Sequence, residues 1–169
     1  TVRGHEDFWA TASNLTVFCR DICSFEYLRN FKNIEVFLSD DMATRMSLNL
    51  DPFLGIKDIA LAVKKEFPEP RILNAFRKDG ESLLKYQREG IDLSDYPMAD
   101  LKSVASIYAK AVFFLTVIAN YSMVKTDRLH VAIGASLIGV ETKFYDNSYG
   151  KNKAVYENTL RDKFPTLHF

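Results

Sequence analysis

Apolar and polar positions along this chain switch repeatedly between two spacings. Short apolar runs of strand length occur at Leu15 to Cys19, Ile34 to Leu38, Arg71 to Phe76, Met123 to Lys125 and Thr142 to Tyr145. Ile91 to Leu93 is a briefer run of the same kind. Between these runs the apolar positions fall three and four apart, as on one side of a helix. Such stretches are Ile22 to Arg29, Ile59 to Phe67, Ser82 to Arg88, a segment opening near Arg128, and Asn152 to Arg161. The longest is Asp100 to Ala119, where Leu101, Val104, Ile107, Tyr108, Ala111, Phe114 and Leu115 share an apolar face. Alternating strands and helices predict an α/β fold, a Rossmann-like parallel sheet with flanking helices. Ligands of such sheets bind beyond the carboxyl ends of the strands. Arg20, Asp40, Arg77, Arg128, His130 and Asn147 all follow expected strands.

The alternation breaks between about Asn49 and Pro70, where Asp51-Pro52 and Gly55 punctuate the chain. A boundary near Asp51 separates residues 1–50, with two expected strands, from residues 51–169. Two strands are too few for an independent α/β layer. The reading therefore expects exposed or dimer-covered apolar surface on residues 1–50.

Composition narrows the classes. Hydrophobic residues are 47% of the 169, which excludes an unfolded polar chain. Formal net charge is zero, so no long-range field marks a nucleic-acid binder, and anion binding must come from local cations. The longest apolar run, Ala109 to Ala119, is interrupted by Lys110 and Thr116 and is too short to cross a bilayer. Arg3, His5, Glu6 and Asp7 crowd the start, unlike a signal peptide. Cys19 and Cys23 have no companion histidine pair, so no metal site is expected; free thiols in a reducing compartment fit better.

Candidate chemistry gathers in two clusters. Thr126-Asp127-Arg128-Leu129-His130 joins a strand to a helix. An arginine and a histidine then meet free backbone N–H groups at the positive end of the helix dipole. Asp146-Asn147-Ser148-Tyr149-Gly150-Lys151-Asn152 does the same after the next strand. Two donor-rich turns on adjacent strand ends predict one cleft for an anion. Plainer readings stand beside this one. His130 also fits a hydrogen-bonded histidine at a helix start, Asp127 an N-cap, Arg128 a surface ion pair with Asp127 or Asp146, and Asn147 to Gly150 a simple turn.

These two clusters, with Gly139-Val140 between them, resemble the C-terminal signature of the polysaccharide pyruvyl transferases. Phe18-Cys19-Arg20-Asp21, Leu38-Ser39-Asp40-Asp41 and Phe76-Arg77-Lys78-Asp79-Gly80-Glu81-Ser82 resemble further family segments in the same order, so the likeness runs from about Val17 to about Leu160. It implies two facing Rossmann-like domains, as in B-type glycosyltransferases. Residues 1–50 would be the end of the first domain and residues 51–169 the second, donor-binding one. The family's N-terminal Gly-rich segment has no counterpart here.

The resemblance implies transfer of a pyruvyl group from phosphoenolpyruvate onto sugar hydroxyls as a ketal, in polysaccharide biosynthesis. His130 would be the acid and Arg128 its catalytic companion. Arg20, Arg77, Asn147, Ser148 and Lys151 would bind the donor. No cofactor or metal is implied beyond phosphoenolpyruvate as substrate. The partner is a sugar or lipid-linked saccharide acceptor, with no nucleic acid and homo-oligomerisation left open. The expected location is cytoplasmic, with association at the inner membrane face left open. Two other functions remain open. One is a B-type glycosyltransferase using a nucleotide-sugar, with Glu157 as the only plausible ribose-binding acid. The other is a non-catalytic fragment that binds glycans or a partner.

Overall fold

The computed structural model describes residues 4–83, 90–95 and 103–169. Four strands form one parallel sheet in the order β3 (Ile72–Ala75), β4 (Met123–Thr126), β5 (Glu141–Phe144) and β6 (Leu167–His168). β1 (Thr16–Cys19) and β2 (Glu35–Leu38) form a separate parallel pair. Helices α1 (Glu6–Thr11), α2 (Ile22–Leu28), α3 (Ile56–Glu66), α4 (Val104–Ala119), α5 (Leu129–Leu137) and α6 (Lys151–Val155) connect and flank the strands. The fold is the α/β, Rossmann-like arrangement that the alternation predicts. Among the described residues, no helix is long and apolar enough to cross a membrane.

The core explains the pattern. Parallel strands need cover on both faces, and their apolar runs show it. Val124 is fully buried between Leu73 and neighbouring strands, with Ala75, Leu115, Ile118 and Val140 in the same cluster. α5 is buried from Val131 to Ser136. It contributes Val131 and Ala135, with Ile138 just past its end, to one cluster, and Leu129, Ala132 and Ile133 to a second with Phe144, Val155 and Leu160. Such a helix reads as apolar nearly all round because it touches core on several sides. Gly134 allows α4 close to it: a Cβ there would lie 3.0 Å from Phe114 and 3.1 Å from Leu115.

Several elements differ from the sequence reading. The helix expected from Ile59 begins at Ile56, where Gly55 adopts φ +81. α4 starts at Val104, because Ser103 and Ser106 form a reciprocal capping box. The expected start from Asp100 to Lys102 and most of the helix at Ser82 to Arg88 lie outside the described residues. Ile91 makes a single bridge to Ala75, and a 3-10 turn follows at Leu93–Asp95. The closing helix is short and continues as a π-helical turn, Tyr156–Leu160. α1 and β6 have no counterpart in the reading; β6 has two residues, too few for a visible period.

The bridge at Ile91 depends on Gly90. A Cβ at Gly90 would overlap the Asn74 carbonyl oxygen, which accepts the Ile91 N–H at 3.0 Å. Backbone cannot step aside as a flexible side chain can. Gly90→Ala should therefore destabilise the fold by about 1–3 kcal/mol, read as a lower urea midpoint; an unchanged midpoint would contradict the contact.

The β1–β2 pair has one covered face. Cys19, Leu28 and Ile34 cluster with Trp9, Val17, Phe25 and Val36. On the other face Phe18 and Phe37 stack at 5.6 Å yet are 68% and 49% exposed. That is the uncovered apolar surface expected of residues 1–50. The link onward from Met42 packs into the larger unit through Leu48 and Phe53. Lys163 fastens the two units further, reaching Asp40 at 3.1 Å and Thr44 at 3.0 Å. The boundary expected near Asp51 falls within this packed link.

Candidate functional site

The site begins with how the strand ends are tied together. Asp127 follows β4 and is completely buried. Its carboxylate accepts the Arg77 backbone N–H at 2.8 Å and the Ser82 hydroxyl at 2.5 Å, which fixes the loop after β3. Asn152, also buried, donates its amide to the carbonyls of Asp127 (2.5 Å) and Tyr145 (3.0 Å). It thereby joins the ends of β4 and β5 to α6. Thr126 donates to the Ala75 carbonyl at 2.6 Å and accepts the Arg128 N–H at 2.9 Å. Buried polar groups must find partners, and these use theirs to hold three loops in register. Among the described residues no buried side-chain polar atom lacks one.

Above this network lies a cleft of about 330 Å³. Arg20, Arg77, Arg128, His130, Asn147 and Lys151 all line it, so the two sequence clusters do face one space. His130 is exposed, as the shared cleft requires, rather than buried in the core. A larger hollow of about 570 Å³ lies beside the ends of β1 and β2; Arg20 and Lys151 border both spaces.

α5 supplies the anion-seeking element. No side chain caps its N-terminus. The N–H groups of Leu129, His130 and Val131 have no partner among the described residues, and all three residues line the cleft. Unpaired first-turn donors and the helix dipole attract negative charge.

The cations are held in different ways. Arg128 forks onto Asp92 through Nε and Nη2, and Nη2 lies 3.5 Å from Asp79. Its Nη1 has no partner among the described residues. Arg77 grips Asp79 at 2.9 Å and Glu81 at 2.6 Å. Tyr149 donates to Glu81 at 2.7 Å. The Lys151 ammonium has no ion pair among the described residues, which leaves its charge for a ligand. Arg20 pairs with Asp41, which lies 3.7 Å from His130.

Five expectations change in detail. Asp127 is not an N-cap: its carboxylate turns inward to Arg77 and Ser82. Arg128 pairs with Asp92 rather than with Asp127 or Asp146. Ser148 is exposed and does not line the cleft; its N–H donates to the Glu81 carbonyl at 3.0 Å. Asn147 lines the cleft, but its side-chain oxygen is occupied by the Lys151 N–H at 2.9 Å. Glu157 stands apart from the cleft, exposed on the π-helical turn, 4.0 Å from Lys153. Among the described residues no cluster of His, Cys, Asp or Glu could hold a metal ion.

Two buried carboxylates have depressed pKa values. At Asp41, His130 and then the Ala43 N–H and Arg20 outweigh the opposing effect of burial. At Asp92, burial opposes ionisation, but Arg128 and the N–H groups of Ser94 and Lys78 overcome it. Each group ionises more readily folded than unfolded. Its stabilisation is therefore full above the ordinary value of 3.8 and fades as pH falls below it. The urea midpoint of the parent protein should drop from about pH 5 to about pH 3, and more steeply than that of Asp41→Asn. A gap between the two proteins that is constant across this range would refute the assignment for Asp41.

No family model and no curated protein matches the chain. A solved structure does: the crystal structure of an uncharacterized protein from Klebsiella pneumoniae subsp. pneumoniae NTUH-K2044. It is 30% identical with a TM-score of 0.72, over all of this chain and 60% of that protein. The chain thus spans about three-fifths of the length of its neighbour. The likeness agrees with the α/β fold of parallel strands and flanking helices.

Proposed function

We propose that this chain binds phosphoenolpyruvate and acts in transferring its pyruvyl group to sugar hydroxyls as a ketal. The observation that carries the reading is the uncapped N-terminus of α5, opening beside Arg128, His130 and Lys151. Phosphoenolpyruvate offers a phosphate and a carboxylate. Free N–H donors and Lys151 suit one, and the Arg128 guanidinium, whose Nη1 is left open by its grip on Asp92, suits the other.

The chemistry asks for an acid next to those anions. His130 gives a proton to the terminal methylene carbon, which becomes a methyl group, and the neighbouring carbon turns electrophilic. One sugar hydroxyl adds there. Phosphate departs with the carbon–oxygen bond pair, and a second hydroxyl closes the ketal. The two hydroxyl protons balance the account, one restoring the imidazolium and one leaving with phosphate. Histidine is suited to this step because its charge changes near neutral pH. Arg128 faces the developing charge, while Arg77 is shaped by Asp79 and Glu81 into the wall beside it.

The test is incubation with phosphoenolpyruvate and sugars bearing neighbouring hydroxyls. The expected result is phosphate release matched by a sugar that has gained one pyruvyl ketal. Saturable binding of a nucleotide-sugar without binding of phosphoenolpyruvate would overturn the reading in favour of glycosyl transfer. Binding of glycans with no turnover would favour a non-catalytic fragment.

A further inference from the structure

We propose that Asp41 is a positioning residue for His130, so that the smaller unit completes the reacting histidine of the larger one. Asp41 follows β2, whereas His130 stands in the first turn of α5; no segment of local chain joins them. The Asp41 carboxylate is buried, while the imidazole beside it is 64% exposed at its side chain. An exposed side chain has several rotamers open to it, and only a fixed neighbour can select one. Asp41 is such a neighbour. Its Oδ1 accepts the Ala43 N–H at 3.0 Å, its backbone carbonyl accepts the Thr44 hydroxyl at 2.8 Å, and Arg20 holds Oδ2.

Oδ2 also faces His130 Nε2 at 3.7 Å. That is beyond a hydrogen bond but within an ion pair, a separation that commonly tightens once a ligand is bound. The depressed pKa of Asp41 keeps the carboxylate charged across the physiological range. The charged groups around the imidazole are then Asp41 on the link after β2, Arg20 after β1, Lys151 on α6 and Arg128 at the start of α5. Arg77 and Glu81 line the same cleft but pair with each other, and Asp41 is the anion within ion-pair distance of the ring among the described residues. An imidazolium is drawn to that side, which sets which nitrogen is committed and which edge of the ring meets a ligand. The catalytic consequence rests on the reading of His130 as the acid. The geometric part does not.

The experiment therefore has two readouts on the same protein. Side-chain NMR couplings report whether His130 occupies one χ1 rotamer, with His5 and His168 as internal controls. Steady-state kinetics with phosphoenolpyruvate separate kcat from KM. Asp41→Asn keeps an oxygen for the Ala43 N–H but removes the charge. Asp41→Ser keeps an N-capping side chain but is too short to reach the ring, and serves if the first variant fails to fold. Both variants should average the His130 couplings and lower kcat by about 10²-fold, with donor KM little changed; Asp41→Glu should recover part of both. A single fixed rotamer in both variants overturns the inference, as does an unchanged kcat in a parent that transfers pyruvyl groups. If the parent shows no transfer yet the couplings average in the variants, the reaction assignment fails and the positioning role stands.

Discussion

His130→Ala should lower pyruvyl transfer by about 10²–10⁴-fold while leaving the affinity for phosphoenolpyruvate close to that of the parent. The asymmetry follows from when each group acts. A proton given to carbon belongs to the transition state, whereas the anions of the donor are already present in the ground state. Arg128, Lys151 and the first-turn N–H groups of α5 remain in the variant to meet those anions. Calorimetric titration with phosphoenolpyruvate and single-turnover rates measure the two quantities separately. Weak donor binding with normal turnover at saturation would make His130 a binding residue and place the acid elsewhere. The side chain is exposed, so the replacement loses little packing; what it loses is the stabilisation His130 lends to Asp41, and a urea midpoint measured beside the kinetics separates that loss from lost catalysis.

Arg128→Ala should do the opposite and damage both folding and binding. Its guanidinium closes a two-point grip on Asp92, whose side chain is only 2% exposed. Removing the cation leaves a buried carboxylate with the N–H groups of Ser94 and Lys78 as its remaining partners. Breaking a buried pair from one side costs about 3–5 kcal/mol, and the partial exposure of Arg128 places this case toward the lower end. Donor affinity should fall as well, because the same guanidinium lines the cleft. The double variant Arg128→Met with Asp92→Asn separates the two effects. It should regain most of the stability, since no unpaired charge remains, but none of the donor binding. Full recovery of binding in the double variant would show that Arg128 serves the fold and not the ligand. Urea unfolding and titration calorimetry on the three proteins decide the matter.

Part of the site was legible in the sequence. Arg77, Arg128 and Asn147 fall at strand ends because apolar runs of period two stop just before them, and parallel sheets open their ligand face there. His130 and Lys151 follow as the first polar positions of the helices that come next. Periodicity fixes that much, since register along one chain is a local property. Asp92 gave no such signal. It sits between Ile91 and Leu93, inside the brief run itself, and its value depends on Arg128, 36 positions away. Asn152 was visible within its motif, but its role as a bolt between two carbonyls was not. Asp127 was misread as a cap because an Asp before a helix usually is one. Here the burial of the strand end made inward hydrogen bonds the better use of the carboxylate.

The sequence by itself determined the α/β class, the parallel strands, the strand-end placement of the candidate residues and the bare apolar face of residues 1–50. These follow from spacing, because a strand or helix buries a face set by its own period. Only the tertiary structure decided which cations are committed and which remain open. Arg20, Arg77 and Arg128 have carboxylate partners, whereas Lys151 has none among the described residues. It also decided that Asp41 of the smaller unit stands beside His130 of the larger one. Pairings of this kind depend on the separation between elements that the chain order leaves free. A charge acts through the distance to its neighbours, and that distance exists only once the layers have packed.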